Sequence, residues 1–317
     1  MPRVHHWCAV DPVEGTMDHM DDIQYDKVAT GAGFFAALDQ SGGSTPKALA
    51  AYGVAADRYG DDAEMFDLVH AMRTRVMTNA AFDGARVLGA ILFEQTMERE
   101  VGGLPAAGYL WEVKQIVPFL KVDLGLDEEA NGVQLMKPIP TLDDVLERAR
   151  YHRIFGTKMR SVIKRADEQG VADIVDQQVA VSERIRAAGL VPILEPEVSI
   201  DSPDKAEAED LLHNALVAHV AGLPDDASIM LKLTLPTVPD LYADLAADPR
   251  VVRVLALSGG YDRDEACARL TKDRSMIASF SRALLDDLSD GQTDEQFSAQ
   301  LETAVEQIYR ASTVKAG

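Results

Sequence analysis

Cysteine is scarce: only Cys8 and Cys267 occur in 317 residues. Two thiols cannot build a disulfide framework, so a disulfide-stapled fold is excluded and a reducing, cytoplasmic setting is expected. Long apolar runs are also missing; none reaches the ~20 residues that a membrane-spanning helix needs. Residues 1–8 hold no continuous apolar segment of the secretory kind, so no signal peptide is expected. Positive charge is in deficit. Lys and Arg number 31 against 52 Asp and Glu, a net charge of −21. That argues against nucleic acid or an anionic membrane surface as partner. An anionic small molecule stays open, because a phosphate needs only a few converging cations and N–H groups. Metal-ligand spacing is absent too. His213 and His219 are six apart, about 600° around a helix, and share no face. Neither a metal nor a cofactor is expected. Assembly as a homo-oligomer is left open.

What is present is a rhythm of short apolar runs. With 47% hydrophobic residues, the chain has ample material for one large domain. Residues 1–27 read as an irregular leader and 28–317 as a single domain ending in a C-terminal helix. Eight runs are suited to strands buried on both faces: 33–38, 87–93, 117–122, 154–159, 191–194, 229–233, 251–257 and 276–280. Helical patterns lie between them. Met65, Val69, Met72 and Val76 share one face, as do Val175, Val179 and Ile185, with Gly189 as a stop. Thr141 with Asp144, and Ser202-Pro203, read as helix starts. Asp262 with Glu265 caps another helix, and the last begins near Thr293, with Phe297, Leu301, Val305 and Ile308 facing inward. Strands alternating with helices predict an α/β fold, the (β/α)8 or TIM barrel. An open doubly wound sheet would usually carry GxGxxG after its first strand; residues 37–44 lack that spacing.

Charged residues cluster at the strand ends. Strand three ends in Lys121 and Asp123, strand four in Lys158 and Arg160, strand five in Glu195 and Glu197, and strand six in Lys232 and Thr234. A spacing of two puts both members of a pair on one face. At a barrel mouth that face is the interior, where barrel active sites lie. Strand one adds Asp39. An ordinary ion pair explains any one pair, but not the ordered set, since unpaired buried charges cost several kcal/mol each. Lys232 stands in the apolar run Ile229-Met230-Leu231-Lys232-Leu233. Desolvation there disfavours its charged form and makes it a candidate nucleophile for a Schiff base. Two turns suit phosphate. Leu257-Ser258-Gly259-Gly260 follows strand seven, and Ser279-Phe280-Ser281-Arg282 follows strand eight. Ser41-Gly42-Gly43-Ser44, with Lys47, offers a second site, or simply a helix-start turn.

Taken in order from residue 31 to 284, these segments resemble class I fructose-1,6-bisphosphate aldolase, most closely its bacterial branch. The resemblance implies a reversible cleavage to dihydroxyacetone phosphate and glyceraldehyde 3-phosphate, a step of glycolysis and gluconeogenesis. Lys232 would form the iminium at C2, and Glu195 would move protons as the carbinolamine dehydrates. Asp39 would take the C4 hydroxyl proton. Lys158 would help keep Lys232 neutral, while Arg160 and Glu197 would hold these groups in register. Ser258, Gly259, Ser281 and Arg282 would bind the C1 phosphate, and Ser41, Ser44 and Lys121 the C6 phosphate. The sequence departs from the animal enzymes in three places. Ser281 stands for a glycine, Gln40 for an acidic residue, and 314–317 lack the terminal tyrosine that assists proton transfer; Tyr309 is not assigned that role. The rival readings are a Schiff-base barrel aldolase for another sugar phosphate, and a sugar-phosphate-binding protein without catalysis.

Overall fold

The computed structural model describes residues 14–41 and 45–316. Eight parallel strands close into a barrel: β1 Phe34–Leu38, β2 Val87–Leu92, β3 Val117–Lys121, β4 Gly156–Ile163, β5 Val191–Val198, β6 Ile229–Thr234, β7 Val251–Leu257 and β8 Ile277–Phe280. β1 pairs with both β2 and β8, and the β3–β4 pairing completes the ring. The principal helices are α1 Glu14–Thr30, α2 Thr45–Ala51, α3 Asp62–Thr78, α4 Leu142–Tyr151, α5 Glu168–Ala187 and α6 Lys205–Ala221. They continue with α7 Ala243–Ala247, α8 Arg263–Lys272, α9 Arg282–Leu285 and α10 Asp294–Thr313. The expected (β/α)8 barrel is the observed one. Among the described residues no helix is long and apolar enough to cross a membrane.

The apolar runs were legible as strands because both of their faces are covered. One face packs under the helices, in a shell that takes in Met65, Val69, Met72 and Val76 of α3 and Phe297, Leu301, Val305 and Ile308 of α10. The other face fills the barrel lumen with Phe35, Phe119, Phe155, Ile193, Met230, Leu255 and Ile277. Ring centroids of Phe35 and Phe119 lie 5.3 Å apart, and those of Phe119 and Phe155 5.5 Å apart. Gly156 makes room for this stack. A Cβ there would stand 2.3 Å from the Val191 carbonyl oxygen and 2.6 Å from the Phe119 ring. Gly156→Ala is therefore expected to destabilise the barrel by about 1–3 kcal/mol through overpacking, read as a lower midpoint in a denaturant melt.

Several expectations need correction. Residues 14–27 are not irregular, for they form most of α1, while residues 1–13 lie outside the described part. α1 carries little periodic apolar signal, and among its described side chains only Gln24 and Val28 are buried. Val28 is fully buried in the lumen cluster. Arg253 of β7 donates to the carbonyls of Val28 at 2.9 Å and Gly31 at 3.1 Å, satisfying oxygens that a helix terminus leaves open. β4 and β5 run four residues past their expected ends, to Ile163 and Val198, because the polar residues there pair across the sheet, Arg160 beside Glu195. Thr141 begins α4 without a side-chain cap, since its backbone (φ −96°, ψ 18°) is not the extended form a cap requires. α6 starts at Lys205, after Asp204, and Ser202 Oγ instead donates to Asp204 Oδ1 at 2.7 Å. The cap at Asp262 forms as expected, and the last helix begins at Thr293 with a full capping box to Gln296.

Candidate active site

The lumen changes character one layer above the phenylalanines. Apolar residues give way to Asp39, Lys121, Lys158, Glu195 and Lys232, which line a cavity of about 700 Å³ at the C-terminal ends of the strands. That size lies within the range of small-molecule sites.

Lys158 is the hub. Its Nζ lies 2.7 Å from Asp39 Oδ2, 2.9 Å from Glu195 Oε2 and 3.8 Å from Asp123 Oδ2. The other oxygen of Glu195 lies 3.0 Å from Lys232 Nζ. One carboxylate thus bridges two amines, and Lys232 is 4% exposed. Burial alone would lower the pKa of Lys158, but Asp39, Glu195 and Asp123 more than offset it, and the value rises well above the ordinary ammonium range. Burial pushes Asp39 and Glu195 up. Lys158 and then Lys232 outweigh that, and both carboxyls fall below their ordinary values. The centre therefore holds a fixed ammonium between two fixed carboxylates.

A second layer lies nearer the mouth. Arg160 Nε meets Glu197 Oε2 at 2.5 Å. Burial lowers the Arg160 pKa, but Glu197 overcomes it and the guanidinium stays charged. Lys121 Nζ lies 2.8 Å from Asp123 Oδ1 and donates to the Asp123 carbonyl at 2.7 Å. The strand-six pairing does not hold as expected. Lys232 faces the lumen, while Thr234 Oγ1 donates to the Val198 carbonyl at 2.6 Å and is spent on strand contacts.

The rim carries both turns. Gly259 has φ +64°, in the left-handed region, and a Cβ there would meet Ile200 at 2.7 Å, so the turn needs glycine. A Cβ on Gly260 would stand 3.6 Å from Arg282 Nη2, which places the β7 and β8 turns side by side. Ser258, Gly259, Ser281 and Arg282 all line the cavity, as do Ser41 and Lys47. Ser44 lies outside the described residues.

A family model described as "Fructose-bisphosphate aldolase class-I" matches residues 20–240. A fructose-bisphosphate aldolase class 1 of Porphyromonas gingivalis is 52% identical over 293 residues, covering 92% of this chain and 99% of the relative. The chain belongs to the class I fructose-bisphosphate aldolase family. Solved structures share its fold at low identity. The fructose-bisphosphate aldolase of Plasmodium falciparum superposes with a TM-score of 0.72 at 18% identity, over 96% of this chain and 97% of that one. An archaeal fructose-1,6-bisphosphate aldolase gives 0.54 at 11% identity, over 91% and 99%.

For this aldolase the fold gathers every described residue expected at the site into one cavity. It adds others that sequence reasoning passed over. Asp123, a strand-end residue to which the sequence assigns no role, contacts two of the lysines. Ser279, 1% exposed, lines the cavity from β8. Arg73 is fully buried on α3, directly behind β1. Its signal was available: a guanidinium beside Met72 on the apolar stripe of a helix has to have a partner.

Proposed function

We propose that this aldolase cleaves fructose 1,6-bisphosphate reversibly through a Schiff base on Lys232. The observation that carries the reading is the placement of Lys232. It is buried at the barrel mouth, 3.0 Å from a carboxylate and open to a cavity large enough for a sugar bisphosphate.

The neutral Lys232 amine attacks C2 of the open-chain ketose. Its nitrogen gives up one proton and keeps one, a second proton comes from solvent, and Glu195 carries both to the C2 oxygen, which leaves as water and so leaves the protonated iminium. Lys158, held charged across the same carboxylate, keeps Glu195 ionised and able to take a proton. Asp39 accepts the C4 hydroxyl proton, the C3–C4 bond breaks, and its electron pair moves into the iminium to give an enamine. Glyceraldehyde 3-phosphate leaves. Protonation of C3 and hydrolysis of the iminium release dihydroxyacetone phosphate and the free lysine. The cation that keeps Asp39 ionised also makes it a weak base, so the C4 hydroxyl has to replace Lys158 as its partner.

Ser258, Gly259, Ser281 and Arg282 hold the C1 phosphate. Ser41, Ser44 and Lys121 hold the C6 phosphate. Lys121 already meets two oxygens of Asp123, so it adds field rather than a full unpaired charge. Arg160 and Glu197 brace the mouth. The iminium supplies the electron sink that a metal would otherwise provide. The net charge of −21 argues against nucleic acid, leaves a small phosphate substrate open and suits a soluble cytoplasmic enzyme.

Borohydride added with dihydroxyacetone phosphate, with EDTA present throughout, is expected to fix one adduct per chain. Peptide mass spectrometry should place it on Lys232. An unmodified chain, or an adduct on another lysine, would reject the assignment.

A further inference from the structure

Gln40 follows Asp39 at the end of β1 and faces the turn after β8. Its side-chain Nε2 donates to Ser281 Oγ at 2.6 Å, across 241 residues of sequence. Its other end is set from behind. The buried Arg73 donates through Nη2 to the Gln40 main-chain oxygen, and the same nitrogen lies 3.5 Å from side-chain Oε1. Arg73 is itself held by Thr96, whose Oγ1 accepts from Nη1 at 2.7 Å.

A guanidinium only donates. The oxygen of the Gln40 amide therefore faces Arg73, and its nitrogen faces Ser281, which settles an orientation that is ordinarily ambiguous. Ser281 is left as the acceptor. A hydroxyl has one hydrogen, and with a lone pair engaged by Gln40 that hydrogen is free to point at the cavity beside Arg282.

We infer that Arg73 and Gln40 form a relay that fixes Ser281 as a hydrogen-bond donor to the C1 phosphate. Gln40 is thus a positioning residue that sets phosphate affinity without touching the phosphate. The inference rests on the reading of Ser281 and Arg282 as the C1-phosphate site. A glutamate at position 40 would accept from Arg73 with one oxygen and accept a hydrogen bond from the Ser281 hydroxyl with the other. The Ser281 oxygen would then turn a lone pair toward the phosphate.

The test compares dihydroxyacetone phosphate with dihydroxyacetone, which lacks the phosphate. The readout is the concentration of each giving half-maximal borohydride inactivation of the full chain. The ratio between the two reports the phosphate contribution alone. Gln40→Glu and Ser281→Gly are each expected to erode that ratio about tenfold, the scale of one hydrogen bond to a charged group. The double variant is expected to lose no more than Ser281→Gly alone. An unchanged ratio in Gln40→Glu would overturn the relay. So would a full Gln40→Glu effect persisting in the Ser281→Gly background, because that would be direct charge repulsion. Arg282→Ala serves as the separate check. If it leaves the ratio intact, the phosphate reading itself fails; if it erodes the ratio while Gln40→Glu does not, only the relay fails.

Discussion

Lys232→Met is expected to lower turnover of fructose 1,6-bisphosphate by at least about 10⁴-fold, in line with the loss of an essential nucleophile elsewhere. Methionine keeps the length and apolar stem of the side chain but cannot form an imine. The other amine on Glu195 is Lys158, held protonated by three carboxylates and so without a nucleophilic lone pair. Stability should change little by comparison, since Lys158 still neutralises Glu195. Steady-state kinetics alongside a denaturant melt separates the two effects. Turnover above about one per cent of wild type in a folded variant would place the chemistry on another residue.

Lys158→Met is expected to harm both activity and stability. Removing the hub leaves Asp39, Asp123 and Glu195 facing one another in a buried layer. Breaking a buried charge cluster from one side costs about 3–5 kcal/mol. The loss should depend on pH in a defined way. Asp39 and Glu195 have folded pKa values below their ordinary 3.8 and 4.5, so their contribution is complete above those values and is lost as pH falls through the folded ones. Lys158 has a folded value above its ordinary 10.5, so its contribution is complete below 10.5 and is lost only as pH rises through the folded value. The wild-type cluster therefore stabilises fully across neutral pH. In the variant the carboxyl pKa values rise, and its deficit should shrink as pH falls from 7 toward 5. Urea titrations at both pH values measure this, and an equal deficit at both would contradict the charge account. Turnover should fall by about 10²–10⁴-fold, because Asp39 and Glu195, the proton-transfer groups that Lys158 holds ionised, lose their shared partner.

Much of this was legible in the chain. The eight buried strands could be read because each run is apolar without alternation, as only a sheet covered on both faces demands. The charged lining of the cavity could be read because charge at equivalent strand ends is too costly to be accidental. Other features resisted. Among the described side chains of α1 only Gln24 and Val28 are buried, too few to mark a period. Thr141 has the residue type of a cap but not its backbone angles. Gln40 and Ser281 each stand out as departures from the animal enzymes' pattern, and nothing in one dimension joins positions 241 residues apart.

The sequence by itself determined the barrel and the kinds of groups at its mouth, because strand burial and spacing by two are local properties of the chain. The tertiary structure decided which charge meets which. Closure of the ring sets Lys158 between Asp39 and Glu195 and Lys232 on the far oxygen of Glu195. Ionisation follows from those short distances across strands, and distances of that kind are fixed only when the barrel closes.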